Sequence, residues 1–260
     1  MYILFVIIPD LADVFSNTIL FKTFIILKLW YFALTRKTFF RGIEMKFNLI
    51  YSDRPFSIFI ESIVDLAALK EVFLMEEYKW SPIDDPKVIV DLGAHFGDTS
   101  LYYHLKFPKA RIFAIEPAPN TFKRLLKNIE GIPEITPVQA GIAKKKGVAK
   151  LNIVPSSLGN SFKDRAETKE SIEVPVHSLR SLFEDLNIPK ADIIKFDIEG
   201  SEQDLFSEGT PEQFSRAYIG ELHYDLADDL DSLIESLKGY VIEKQQLSNP
   251  KRFIIRALNK

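Results

Sequence analysis

Val88-Ile89-Val90-Asp91-Leu92-Gly93-Ala94-His95-Phe96-Gly97 is an apolar run that ends in a carboxylate and breaks into a loop bracketed by two glycines. The next residues, Asp98-Thr99-Ser100 and Leu101 to Leu105, read as a cap followed by a helix. A strand that turns in this way into a helix N-terminus presents bare backbone to a ligand, which is how open α/β sheets bind nucleotides. The spacing departs from the dinucleotide fingerprint G-x-G-x-x-G because His95 holds its middle position. Histidine is among the few side chains enriched at positive φ, so the turn can still form.

Outward from this stretch the pattern alternates. Strands are expected at Val88 to Leu92, Arg111 to Ile115, Ile135 to Ala140, Asp192 to Phe196 and Ala217 to Leu222. Helices are expected at Thr99 to Lys106, Thr121 to Ile129 with Asn120 as cap, Ser178 to Leu186, Ser201 to Ser207 and Leu226 to Leu237. Such alternation means parallel strands joined by right-handed crossovers. Tyr240 to Gln246 and Arg252 to Leu258 flank Leu247-Ser248-Asn249-Pro250, which signals a hairpin instead of a crossover. The expected fold is therefore α/β, a doubly wound, seven-stranded and mostly parallel sheet that ends in an antiparallel hairpin. Residues 141–177 break the rhythm as an inserted hairpin, with a polar tip from Ser156 to Ser161 suited to a lid. Upstream, Met45 to Tyr51 and Ser57 to Ile60 read as a small hairpin turned at Asp53-Arg54-Pro55, and Ile63 to Tyr78 as an amphipathic helix.

Composition sets the limits. The 260 residues are 47% hydrophobic and 27% charged, ordinary usage for a globular chain with a real core. A net charge of -3 and a pI near 5.9 argue against a nucleic-acid partner, whose footprint is a clustered basic surface. No cysteine is present, which excludes disulfides, thiolate metal sites and a cysteine nucleophile. Residues 1–42 differ from the α/β domain at 43–260: they form a hydrophobic extension expected to be helical, with Lys22 and Lys28 interrupting the run Ile19 to Leu34. Neither Met1 to Ile8 nor Ile19 to Leu34 reaches the roughly 20 residues that span a bilayer, so residues 1–40 read as a helix docked on protein or lying on a membrane surface, with a tilted span as the third alternative. The expected location is the cytoplasm, with or without that peripheral contact. The oligomeric state is open.

Three further segments carry chemistry. Ile115-Glu116-Pro117 ends the second strand twenty-five residues after Asp91, close to the offset at which an acidic residue grips ribose hydroxyls in a doubly wound fold. In Lys195-Phe196-Asp197-Ile198-Glu199-Gly200-Ser201-Glu202, the charged residues at 195, 197 and 199 alternate with apolar ones. Period-two spacing puts them on one side, an unusual pattern for a buried parallel strand. The bland reading is an ion pair from Lys195 to a neighbouring carboxylate. One strand later, Gly220-Glu221-Leu222-His223 adds a second carboxylate and a histidine, and a lone histidine is more often a core or capping residue than a base.

Taken together, these segments resemble the FkbM family of S-adenosylmethionine-dependent methyltransferases over roughly residues 45 to 258, with Asp197-Ile-Glu199-Gly-Ser-Glu202 as the distinctive part. His95 stands where the family more often has Asn. The resemblance implies a class I methyltransferase domain that methylates a hydroxyl on a sugar, glycan or related small molecule. It implies that Asp91 and the backbone of Gly93, Ala94, His95 and Gly97 hold the methionine part of S-adenosyl-L-methionine, that Glu116 with Pro117 holds the ribose, and that Gln139, Ala140 and Gly141 border the adenine. Asp197 or His223 would then act as base, with Glu199 and Glu221 toward the acceptor. A divalent metal on Asp197, Glu199, Glu221 and His223 is the rival means of activation; it is not favoured, because Lys195 beside the cluster would already neutralise its charge. The alternatives are a nicotinamide-dependent oxidoreductase, which shares the loop and the ribose carboxylate, and a methyltransferase-like binding module without catalysis.

Overall fold

A computed structural model describes residues 44–79, 82–154, 161–162, 170–226 and 229–259, together with Ile26, Leu27, Trp30 and Tyr31. Apart from those four residues, the hydrophobic extension expected at 1–42 lies outside the described residues, as do residues 155–160 of the expected lid. Among the described residues no helix is long and apolar enough to cross a membrane.

The chain divides into two compact units, Met1–Lys79 and Trp80–Lys260. In the first, β1 (Met45–Tyr51) and β2 (Arg54–Ile60) pair antiparallel. The turn is Ser52-Asp53, both at positive φ, 48° and 62°, one residue earlier than the sequence suggested. Two consecutive left-handed residues match the right-handed twist of the strands they join. Phe47, Leu49, Tyr51, Ile58 and Ile60 alternate inward. Helix α1 (Ile63–Leu69) starts from a capping box in which Ser62 and Asp65 satisfy each other's backbone N–H groups. It ends sooner than the expected Tyr78, loosening into a π-helical turn over Lys70–Leu74.

The second unit carries β3 (Val88–Leu92), α2 (Asp98–Lys106), β4 (Arg111–Ile115), α3 (Pro119–Asn128), β5 (Ile135–Val138), β6 (Gly141–Ile142), β7 (Gly147–Ile153) and β8 (Glu170–His177). These are followed by α4 (Leu179–Asp185), β9 (Ala191–Phe196), α5 (Pro211–Phe214), β10 (Ser215–His223), α6 (Asp231–Ser236), β11 (Tyr240–Gln246) and β12 (Arg252–Asn259). Seven strands form one sheet in the order β11-β12-β10-β9-β3-β4-β5. All its pairings are parallel except those of β12, which lies antiparallel between β10 and β11. This is the class I methyltransferase topology. The strand order reverses between β3 and β9, and the crevice outside the carboxyl ends at such a switch point is where open α/β sheets bind ligands. Val90, Leu92, Phe113, Ile194, Phe196 and Tyr218 belong to the core beneath it.

The insertion forms a three-stranded sheet, β6-β8-β7, with β6 parallel and β7 antiparallel to β8, over a small core of Ala118, Leu151, Val174 and Val176. Three local expectations are corrected. Helix α3 begins at Pro119, in the first-turn position that needs no N–H donor, so Asn120 is inside the helix and Ala118 precedes it. The helix expected at Ser201 to Ser207 is a single 3-10 turn over Glu202–Asp204. Its first residue, Glu202, turns its carboxylate into the protein and accepts from Gly200 N at 3.2 Å, which holds the turn tight. Pro211–Phe214 adds a short helix where none was expected.

Candidate functional site

The loop after β3 is fixed from both sides. Gly93 N and Ala94 N both donate to Ile115 O at 2.9 Å, and Asp197 N donates to Leu92 O at 3.0 Å, so the ends of β3, β4 and β9 are tied together. Gly93 takes φ 78°, and a Cβ there would stand 1.9 Å from the Asp197 carbonyl oxygen; no other residue fits. His95 is left-handed at φ 49°, and Gly97 at φ 96° leads into α2.

Asp91 lies beneath this loop, fully buried. Its Oδ1 is 3.1 Å from Lys195 Nζ and its Oδ2 accepts from Ser100 Oγ at 2.6 Å. Lys195 Nζ also donates to Gly93 O at 2.8 Å. Burial opposes the ammonium charge, but Asp91, Asp197 and Asp98 outweigh it and hold the Lys195 pKa above its ordinary value. The ion pair expected of Lys195 therefore exists, and its partner is the residue opposite it on β3, in register Asp91↔Lys195. What Asp91 offers the cleft is the position of the loop, since its carboxylate is covered.

Glu116 follows β4. Its two carboxylate oxygens accept from His95 N at 3.1 Å and Ala118 N at 2.9 Å. Burial pushes its pKa up to about 8, against the lowering effect of those two N–H groups and of Lys195. A cleft with an empty volume of about 610 Å³, open mouth included, runs past this group. Of the residues singled out from the sequence, Gly93, His95, Glu116, Pro117, Ala140 and Gly141 line it together, and Asp197 and Glu199 close its other end. Ala94, Gly97, Gln139, Asp91, Glu221 and His223 do not line it. Its apolar wall of Ile115, Ile142, Leu151, Phe162 and Ile198 was not anticipated. Leu151 and Phe162 come from the insertion, and Ser161 Oγ donates to Glu199 O at 2.5 Å, tying the insertion to the cleft.

Beyond Asp197 lies a cluster of charge. His223, fully buried at the end of β10, places Nδ1 2.6 Å from Oε1 of the buried Glu202. Its Nε2 faces three carboxylates: Glu221 Oε1 at 3.4 Å, Glu199 Oε2 at 3.6 Å and Asp197 Oδ1 at 3.7 Å. Burial works against a charge on the ring, but the hydrogen bond to Glu202 and the surrounding carboxylates raise the His223 pKa to about 10. Glu221 is pushed up to about 8, by burial first and by Asp197 second, although His223 and Arg252 pull the other way. Arg252 Nη1 stands 3.4 Å from Glu221 Oε1. Arg252 is a member of this cluster that the sequence did not single out, and Glu202, the last residue of the distinctive Asp-x-Glu-x-x-Glu motif, had been given no role.

Residues 91–242 match the Methyltransferase FkbM domain. Methyltransferase 1 of Beauveria bassiana is 26% identical over 72% of this chain and 80% of its own length. The hexuronic acid methyltransferase AglP of Haloferax volcanii is 28% identical over 47% of this chain and 49% of its own. Among solved structures, Aeropyrum pernix fibrillarin in complex with natively bound S-adenosyl-L-methionine is 15% identical with a TM-score of 0.47, covering 86% of each chain. The domain match spans more than half of the 260 residues and takes in the loop, Glu116 and the cluster residues from Asp197 to His223, and the chain accordingly belongs to the FkbM family of S-adenosylmethionine-dependent methyltransferases.

Proposed function

We propose that this chain methylates a hydroxyl oxygen of a sugar or related small molecule, with the cofactor in the cleft past Glu116 and the acceptor over the Asp197 to His223 cluster. The observation that carries this reading is the position of Asp197, which lines the cleft and also belongs to the carboxylate cluster. Membership in the family sets aside a nicotinamide-dependent oxidoreductase.

The cleft suits S-adenosyl-L-methionine by its donor set. Glu116 is a buried carboxylate that two ribose hydroxyls would satisfy, the backbone from Gly93 to Gly97 approaches without side-chain obstruction at Gly93, and Pro117, Ala140 and Gly141 with Leu151 and Phe162 offer an apolar seat for a base. When bound, the cofactor supplies a methyl group already activated on a sulfonium. The protein's work is then alignment and proton handling. Asp197 accepts the proton of the acceptor hydroxyl. Glu199 and Glu221 accept from other hydroxyls of the acceptor. His223 carries charge in the ligand-free arrangement, so its proposed part is to hold these carboxylates in place instead of taking a proton. An acceptor side built from Asp197, Glu199 and Glu221 also repels a phosphate backbone, in keeping with the net charge of -3. The Haloferax volcanii relative, a hexuronic acid methyltransferase, supports an oxygen-rich acceptor.

Methyl transfer from methyl-labelled S-adenosyl-L-methionine to a panel of hexuronic acids, neutral glycosides, aliphatic alcohols and short RNA tests this. Label on a sugar hydroxyl, lost in Asp197→Asn, is the expected result. Label on RNA alone contradicts it.

A further inference from the structure

We propose that Asp197, Glu221 and His223 form a divalent-cation site of the Mn²⁺ or Mg²⁺ class at the acceptor end of the cleft. The three side chains place one ligand atom each within 4.8 Å of one another. The inference rests on the proposed methyl transfer for the use of the ion, and on geometry alone for its binding.

Three observations carry it. The first is spacing. His223 Nε2 lies 3.4 Å from Glu221 Oε1 and 3.7 Å from Asp197 Oδ1, beyond hydrogen-bond length. Around an ion with bonds of about 2.1 Å, adjacent ligands stand about 3.0 Å apart in an octahedron and about 3.4 Å in a tetrahedron, so small side-chain shifts close this set. The second is His223 itself. Among the described residues its Nε2, fully buried, has no hydrogen-bond partner, and it points into the cluster. The ring's other nitrogen is held at 2.6 Å by Glu202, also fully buried. A carboxylate on Nδ1 orients the ring, and an ion that displaces the Nε2 proton finds Nε2 as a ligand, the usual support of a metal-binding histidine. The third is charge. Lys195, which the sequence offered as the neutralising group, pairs with Asp91 and donates to the Gly93 carbonyl, so Asp197 shares its charge with Asp91. Arg252 is left to face Glu199, Glu221 and Asp225 at 3.8, 3.4 and 3.6 Å, with Asp197 and Glu202 adding to the acidic side.

Two carboxylates and one imidazole favour Mn²⁺ or Mg²⁺ over the softer ions that thiolates select. Three protein ligands leave coordination positions open toward the cleft, where hydroxyl or carboxylate oxygens of an acceptor would complete them. Acidic sugars would then be admitted to a pocket that otherwise repels them.

The full chain, stripped with EDTA and titrated with MnCl₂, tests the site by the electron paramagnetic resonance signal of free Mn²⁺ and by calorimetry, each with and without S-adenosyl-L-methionine. One Mn²⁺ per chain is expected, displaced by Mg²⁺. Glu221→Gln should weaken it at least tenfold, as should Asp197→Asn at a partly exposed side chain, both with unchanged melting temperature. Absence of Mn²⁺ binding at millimolar concentration overturns the site whatever the cofactor does, and so does binding that neither substitution alters. Binding of Mn²⁺ without binding of S-adenosyl-L-methionine supports the site and removes the proposed function instead.

Discussion

Lys195→Met tests how the cofactor loop is held. Lys195 is 1% exposed, and its ammonium serves a fully buried carboxylate at 3.1 Å and the Gly93 carbonyl at 2.8 Å. Methionine fills similar volume but removes the charge, leaving Asp91 with Ser100 as its hydrogen-bond donor on Oδ2. Removing one partner of a buried pair costs about 3–5 kcal/mol, because the other charge stays buried without compensation. For a unit of this size each kcal/mol lowers the melting temperature by roughly 2–4 °C, so a fall of roughly 6–20 °C is expected. Adding Asp91→Asn should recover most of the loss, since the stranded charge goes with it; the coupling between the two positions should be about 2 kcal/mol or more. Cofactor affinity should not recover in the double variant, because the Gly93 carbonyl still lacks its donor. Calorimetric melting of the two single variants and the double measures all three. A loss below about 1 kcal/mol for Lys195→Met, or a double variant as unstable as the sum of the singles, would refute the reasoning.

Glu116→Ala should weaken S-adenosyl-L-methionine binding by roughly 10–100-fold, the cost of leaving buried ribose hydroxyls without their partner, as read by calorimetry; a change within threefold contradicts the ribose assignment. Asp197→Asn should lower kcat by roughly 10²–10⁴-fold while the KM for the cofactor moves little, in steady-state assays with a competent acceptor. Stability without ligand should fall as pH rises from 6 to 9. Asp98 is raised to about 7, Glu116 and Glu221 to about 8, and His223 to about 10, in each case above the value expected in the unfolded chain. The folded state therefore binds more protons across this window, and its advantage is present at the acid end and lost as pH climbs through each folded value. Melting curves at half-unit intervals should show that decline, and a melting temperature that rises toward pH 9 contradicts it.

The parts of this fold that were legible in the sequence are those set by local pattern. The strands at Arg111–Ile115 and Tyr240–Gln246 were readable to the residue, because apolar runs and turn residues are contiguous there. The helix expected at Ser201 to Ser207 failed because Glu202 is drawn to His223, twenty-one residues away, and no periodicity reports that. The bland reading of Lys195, an ion pair to a neighbouring carboxylate, is what the structure holds, but the sequence did not say that the closest partner is Asp91. Period two gives the side of a strand, whereas the partner Asp91 depends on β3 and β9 being neighbours at the switch point. The same limit hid Leu151 and Phe162, since an insertion shows its length in sequence and not the wall against which it packs.

Calorimetric titration of S-adenosyl-L-methionine into the full chain and into Glu116→Ala, with NADH as the control ligand, tests the central claim most directly. The account predicts one cofactor bound per chain, an affinity at least tenfold weaker in the variant, and no heat from NADH. Binding of NADH without binding of S-adenosyl-L-methionine, or cofactor binding indifferent to Glu116, would contradict it.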